Sequence, residues 1–313
     1  MQSLRQGGLS VSFVLVWSSG YLVGALATAV IAPLTVTFWR FVLAAAVLAA
    51  IARWRHEHWP SGWRSLARVS GVGVVLFAVQ FGGLYIGLAD GMPAGTTALI
   101  ACSAPLLVAV AGAGLGWERL AAVQWAGIAL GVVGVVVTLA DRVGRPPSVA
   151  ALLWTLLGLA GLAAGTLLQR TVSRAAGPAA LASTQVAAAA VVLAVWAPLR
   201  GPLAIPVTTQ AVVSFLWLAL VAGVGAPLLL FALIARRGPT GGTSLLFAVP
   251  AVTALAAWPL LGTPVHLTAV VGLLVAAVGL WLSRRAPRRG RADAGSPVHR
   301  TASPVLVPAL RHW

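Results

Sequence analysis

The strongest constraint in this sequence is an internal repeat whose two copies are offset by 145 residues. At this offset Pro105 matches Pro250 and Gly127 matches Gly272. Further matches pair Gly20 with Gly165, Pro33 with Pro178, Arg55 with Arg200 and Gly134 with Gly279. Repeated spacing of glycine and proline indicates a repeated structural unit. The sequence therefore predicts two copies of one fold, followed by a tail.

The composition is that of a chain whose solvent is lipid. Of the 313 residues 60% are hydrophobic and only 8% are charged, and the mean hydropathy is +0.97. A soluble domain of this size carries far more charge. The net charge of +16 could suggest nucleic acid as a partner, but the arginines mostly flank long apolar runs. We therefore expect a membrane protein that does not bind nucleic acid.

Apolar runs long enough to cross a bilayer recur along the whole chain. A hydrocarbon core of about 30 Å needs about 20 apolar residues in a helix. The N-terminal run resembles a signal peptide, but we interpret it as the first span because many further spans follow it. Ten segments are predicted to span: 10–30, 34–52, 69–89, 94–115, 121–140, 149–169, 178–198, 210–234, 240–262 and 267–283.

The arginines in the loops predict how the two copies are oriented. A repeat of five helices places the second copy upside down, so equivalent loops should carry opposite arginine loads. Loop 53–68 contains four arginines, whereas its partner 198–209 contains only Arg200, and three further loop pairs follow the same rule. Loop 141–148 is the exception. We predict an all-α integral membrane protein of ten transmembrane helices in two inverted five-helix repeats, with both termini in the cytoplasm.

The repeat divides the chain into three parts. Residues 8–140 form the first copy, with helices 1 to 5, and residues 149–283 form the second. The tail, 284–313, is rich in arginine and poor in apolar runs, which predicts a basic, disordered cytoplasmic segment. We expect its first part to lie against anionic lipid head groups.

Short motifs along both copies resemble those of the EamA-like transporters of the drug/metabolite transporter (DMT) superfamily. The resemblance covers residues 8–283 and depends on the order and spacing of the motifs. In the first copy they are Trp17–Gly20, Pro33–Arg40, Leu84-Tyr85, Gly87-Leu88, Thr97–Ile100, Ala104–Leu106, Gly116–Leu120, Gly127 and Gly134; in the second they are Pro178, Pro250, Gly272 and Gly279.

This resemblance implies a permease that moves small metabolites, most plausibly amino acids or related compounds, out across the cytoplasmic (inner) membrane by alternating access. A drug, a sugar or a nucleotide sugar is the alternative substrate within the same fold. A membrane-integral enzyme or assembly protein built on this scaffold is the alternative of another class. The sequence has no enzyme, cofactor or metal-binding signature, so we expect no enzymatic activity, no cofactor and no metal.

The two copies differ at two polar positions. Thr263 stands where the first copy has Glu118, which argues that Glu118 shapes a turn and does not couple transport. Gln185 stands where the first copy has Arg40. Chemically unequal halves would suit an asymmetric substrate.

Proline lies near the middle of a predicted span in each copy. Pro105 and Pro250 each remove one helical hydrogen bond and free the carbonyl four residues back, on Ala101 and Leu246. Broken helices at matching positions of inverted repeats are typical of transporter binding sites. A static kink is the alternative. We expect a hinge or cavity wall at both prolines.

Arg40 is the one charge that lies clearly inside a predicted span. A charge in lipid costs at least about 2.5 kcal/mol, so it should face a cavity or a partner. It could bind an acidic group of the substrate, or it could snorkel or bond to backbone carbonyls; the sequence leaves both interpretations open. The other candidates for substrate contact are Trp17, Tyr85, Gln80, Thr97, Gln185 and Ser244.

Overall fold

The computed structural model describes residues 2–116, 120–140, 147–226, 229, 233, 244–263 and 267–283, with side chains from residue 8 onward except at 139, 140, 244 and 247. The described residues are helical and contain no strand. We number their helices α1 (Gln2–Thr28), α2 (Pro33–Trp54), α3 (Trp63–Ala89), α4 (Ala94–Gly114), α5 (Ala122–Ala140), α6 (Val149–Val172), α7 (Pro178–Trp196), α8 (Thr209–Gly225), α9 (Val249–Leu261) and α10 (Leu267–Ser283).

Six of these helices, α1, α2, α3, α4, α6 and α7, are long and apolar enough to cross a membrane. The other four are apolar but shorter within the described residues. The all-helical membrane fold is therefore observed, whereas the count of ten spans stays a prediction. The predicted tail and Glu118 lie outside the described residues.

Equivalent helices of the two copies start in the same way. Pro33 opens α2 and Pro178 opens α7, each in the first turn. Proline suits this position because its missing N–H would have no partner there and its φ angle is already helical. The repeated prolines that revealed the offset therefore mark helix starts.

The two copies meet through a reciprocal glycine contact between α5 and α10. A Cβ at Gly127 would lie 2.6 Å from the Gly279 carbonyl oxygen, and a Cβ at Gly279 would lie 2.6 Å from the Gly127 carbonyl oxygen. Gly134 and Gly272 form a second pair, 2.6 Å from the oxygen in one direction and 2.8 Å in the other. Gly127 thus faces Gly279, the repeat counterpart of Gly134, and Gly134 faces Gly272, the repeat counterpart of Gly127. A twofold relation between the copies produces this pattern. Only glycine permits backbones this close.

A second reciprocal contact joins α2 and α7 at opposite ends. The Thr35 hydroxyl, in the first turn of α2, donates to the Pro202 carbonyl at 2.8 Å. The equivalent first turn of α7 donates its Ala179 and Ala180 N–H groups to the Glu57 carboxylate at 2.7 and 3.0 Å. Position 57 is the counterpart of 202 at the repeat offset. The same contact is thus neutral in one half and charged in the other.

Helices α3 and α8 each contain a π-helical segment that the sequence did not predict. In α3 it spans Val74–Val79, and in α8 it spans Trp217–Gly225, which overlaps the equivalent positions. A π-helical turn holds an extra residue and is frequently found at functional sites. The segment in α3 lies directly before the turn that carries Phe81 and Tyr85.

Candidate functional site

Arg40 lies buried on α2, about 10 Å along the helix from Pro33. Its Nη1 donates a hydrogen bond of 2.9 Å to the Tyr85 hydroxyl on α3. The Phe81 ring covers the guanidinium, with its centre 4.4 Å from Cζ. Aromatic faces stabilise a cation by their quadrupole. The guanidinium is therefore held in one orientation by one hydrogen bond and one ring.

The positive charge of Arg40 has no acidic partner among the described residues. Its one hydrogen-bond partner there is the Tyr85 hydroxyl. The remaining guanidinium N–H groups have no hydrogen-bond partner among the described residues. Arginine has five N–H donors in a planar fork. Arg40 thus presents unused donors and an uncompensated charge, which suit a carboxylate.

Helix α1 leaves space for the Arg40–Tyr85 pair at Gly24. A Cβ at Gly24 would lie 3.5 Å from both the Tyr85 hydroxyl oxygen and its Cζ, and 3.3 Å from Leu88 Cδ1. A larger side chain here would press on the tyrosine that orients Arg40. Three helices therefore position the site: α2 supplies the cation, α3 the tyrosine and the ring, and α1 the space.

Trp17 lies on the same helix, one turn from Tyr21, and packs against the start of α9. Its ring centre is 5.3 Å from that of Phe13, and both pack in a cluster that includes Val249. The neighbouring Tyr21 packs both in this cluster and in the one that contains Tyr85. Helix α1 therefore connects the surroundings of Arg40 to the start of α9. Trp17 itself does not contact Arg40.

Two of the sequence candidates lie elsewhere. The backbone of Gln80 lies where α3 crosses α6, since its carbonyl oxygen would be 2.8 Å from a Cβ at Gly158. Thr97 is fully buried, and its hydroxyl donates to the Pro93 carbonyl of its own helix at 3.0 Å. The structure brings neither side chain to the Arg40–Tyr85 pair. That pair joins two of the candidates, Arg40 and Tyr85.

Gln185 occupies the position of Arg40 in the second copy and has a different partner. Its Nε2 donates to Oε1 of Gln169 on α6 at 2.7 Å, and Gln185 is buried. A Cβ at Gly73, the last residue before the π-helical segment of α3, would collide with the Gln185 backbone. The second copy thus holds an amide pair where the first holds a cation and a tyrosine.

The two predicted hinge prolines lie next to irregular helical turns. Helix α4 breaks at Ser103, where φ and ψ are −81° and −3°, and resumes with Pro105 in its first turn. In the second copy a 3-10 turn at Ser244–Ala248 leads into α9, which has Pro250 in its first turn. The side chain of Ser244 lies outside the described part. The Ser18 hydroxyl of α1 donates to the Val249 carbonyl at the start of α9 at 3.2 Å.

A crevice between α4, α5, α9 and α10 adjoins the break in α4 and the start of α9. Its walls are mostly aliphatic, and Cys102 and Ser103 supply the polar groups. Pro250 also lines this crevice. The break in α4 and the start of α9 therefore face a common space at the junction of the copies.

Several residues of these sites were not found from the sequence. Gln169 was assigned only to the end of a span, although its position is the counterpart of Gly24. Glu57 was not recognised as the cap of α7, because its partners are backbone groups 122 and 123 residues away. Phe81 looked like one more apolar residue in a span. Comparing the two copies position by position would have found Gln169, since glutamine facing glycine is unusual within matched spans.

Comparisons with known proteins agree with this architecture. The model of the EamA-like transporter family matches residues 8–140 and again residues 149–285. A solved structure titled only "Crystal structure of protein" is similar, with a TM-score of 0.60 and 20% identity, over 90% of this chain and 96% of that one. This structural likeness shows the fold alone. No curated protein sequence matches the chain. Two matches of the family model, one per repeat, cover most of the residues, and the chain belongs to the EamA-like transporter family.

Proposed function

We propose that this multi-pass membrane protein exports small acid-bearing metabolites, most plausibly amino acids or related compounds, across the cytoplasmic membrane. Arg40 is the observation that carries the proposal. It is buried, its charge has no acidic partner among the described residues, and its remaining N–H donors have no hydrogen-bond partner there. A cation kept in this state costs free energy unless an anionic ligand compensates it.

The mechanism that fits this arrangement is alternating access between the two copies. Helix α4 is interrupted at Ser103, α9 starts from a 3-10 turn at the matching position, and Ser18 of α1 is hydrogen-bonded to the start of α9. Interrupted helices at matching positions form the substrate sites of several transporter folds. The glycine contact of α5 with α10 is too close to slide, so it suits the fixed part about which the rest moves.

The orientation in the membrane is part of the proposal. The loop arginines favour cytoplasmic termini, with Arg40 in the outer half of the bilayer. A fluorescent protein fused after Arg285 should then fluoresce, and alkaline phosphatase at the same position should be inactive. Active phosphatase after Arg285 would contradict this orientation and the direction of the site.

Transport itself can be tested with purified protein in liposomes. The panel would contain labelled amino acids, carboxylic acids, sugar phosphates and a cationic drug, each measured by counterflow. We expect saturable uptake of compounds with a free carboxylate, and none of the cationic drug. Uptake of the drug alone, or uptake that ignores the carboxylate, would contradict the proposal. Expression in cells that carry a toxic amino-acid analogue tests direction, since an exporter should protect them.

A further inference from the structure

The amide pair of Gln169 and Gln185 bridges α6 and α7. Gln185 lies seven residues after Pro178, as Arg40 lies seven residues after Pro33. Each is therefore about 10 Å along its helix from the start. Because the copies are predicted to be inverted, these equal distances are measured from opposite membrane faces. Arg40 then lies in the outer half of the bilayer and the amide pair in the inner half.

The pair leaves hydrogen-bonding groups unused. Each glutamine amide has two N–H donors and one carbonyl acceptor. Only one N–H of Gln185 and the carbonyl of Gln169 are used between them. The Gln185 carbonyl and the Gln169 amino group have no further hydrogen-bond partner among the described residues. The pair thus presents an acceptor and donors side by side, which a dry hydrocarbon surrounding would penalise.

A donor and an acceptor together select a different chemistry from a lone cation. Arg40 has donors only, so it suits a carboxylate and repels an ammonium group. An amide pair can accept from an ammonium group and donate to a carboxylate at the same time. A zwitterion uses both functions, whereas a simple carboxylate uses only the donors.

We propose that Gln169 and Gln185 form a second substrate site, which binds the zwitterionic head group of an α-amino acid in the predicted cytoplasmic half. The inference rests on the proposed function and deepens it, since it names the α-amino acids among the acid-bearing metabolites. An amino acid would be held by both its charged groups at the amide pair and then by its carboxylate at Arg40. An amino acid that enters from the cytoplasm would reach the neutral amide pair first and the cationic Arg40 second. This order suits outward movement of the acid group.

The test compares an amino acid with the same acid lacking its amino group. Counterflow into liposomes is measured for labelled L-leucine and labelled 4-methylpentanoate, with wild type, Gln169→Leu and Gln185→Leu. We expect the ratio of kcat/KM for leucine to that for 4-methylpentanoate to fall about 10- to 100-fold in both variants, the cost of a lost hydrogen bond to a charged group. A pair that only fastens α6 to α7 would lower both rates together and leave the ratio unchanged, which would overturn the inference.

Matched controls separate the possible failures. Gln124→Leu removes a glutamine that bonds to the Ser283 carbonyl at 3.2 Å, far from the pair in the chain, and should keep the wild-type ratio. Gln185→Asn keeps the polarity but shortens the side chain, so it supplies a folded variant with the pair broken if leucine is not tolerated. Transport that depends on Arg40 but keeps its ratio in all Gln169 and Gln185 variants overturns this inference alone. A wild-type protein that moves no member of the panel contradicts the proposed function as well.

Discussion

The two copies have the same helical scaffold but different polar side chains at one matching position. In the first copy, position 40 is an arginine bonded to Tyr85, with Gly24 leaving space beside it. In the second, the equivalent position is Gln185, bonded to Gln169, which replaces the glycine. The backbone contacts around them, by contrast, are reciprocal. The packing contacts are therefore alike in the two copies, whereas the polar contacts at this position differ between them.

The largest effect should come from the cation, and from one copy only. Arg40→Ala should lower transport of carboxylate-bearing substrates by at least about 100-fold, because the charge that binds the acid is gone. Gln185→Ala, at the matching position, should leave simple carboxylates much less affected. Counterflow in liposomes measures both. Arg200→Ala is the control, because this exposed arginine stacks on Trp154 and touches neither site. Equal losses in Arg40→Ala and Gln185→Ala would remove the difference between the copies.

The glycine contacts predict equal effects in the two copies. Gly134→Val and Gly279→Val each place side-chain atoms against the backbone of the partner helix, and each should destabilise the protein by about 3 kcal/mol or more. Thermal unfolding in detergent measures this loss. Gly112→Val is the matched control, because a Cβ there has open space. If one of the two variants were as stable as the control, the reciprocal contact between α5 and α10 would be wrong.

A smaller effect should come from the orienting tyrosine. Tyr85→Phe keeps the ring and the packing but removes the hydroxyl that accepts from Arg40. The guanidinium then loses one fixed direction, so we expect KM for a carboxylate substrate to rise about 10-fold with kcat nearly unchanged. Gly24→Val should act in the same direction by pressing on Tyr85. A change in kcat alone would argue that the tyrosine serves helix movement and not the position of Arg40.

The smallest effect concerns the contact that is charged in one half and neutral in the other. Glu57→Gln weakens the cap on the first turn of α7 and should lower the free energy of unfolding by about 1 kcal/mol. Thr35→Val, at the reciprocal contact, should cost no more than that. Chemical denaturation in detergent compares the two, with exposed Asp90→Asn as the control. A Glu57→Gln variant as stable as the wild type would show that backbone packing alone stabilises the start of α7.

The fold could be predicted where the chain itself carries the geometry. The repeated Pro33 and Pro178 mark helix starts, and Gly127, Gly134, Gly272 and Gly279 mark the close contact between copies. Glycine and proline act through the backbone conformations that each allows, so their structural roles can be predicted from their spacing in the sequence. The π-helical segments were missed because no residue type signals an extra residue in a helical turn.

The site could be predicted less well from the sequence, because its contacts depend on which helices pack together. Arg40 stands out in any apolar span, but its contacts with Phe81 and Tyr85 follow from how α2 packs on α3. Thr97 and Gln80 looked equally suitable from composition, yet lie away from the Arg40–Tyr85 pair. Polar residues inside spans can be found from sequence, whereas their partners require the helix arrangement.

The central claim is that the copies differ because one of them carries the cation that binds the substrate. Equilibrium binding to purified protein tests this claim most directly. Arg40→Gln gives the first copy the residue that the second copy has, so the two halves become alike at this position. Labelled 4-methylpentanoate, which carries the acid group without the amino group that the amide pair recognises, would be titrated against wild type and this variant in detergent, with unfolding temperature as the check on folding. The account predicts saturable binding by wild type and its loss in a folded Arg40→Gln protein. Unchanged binding in that variant would contradict it.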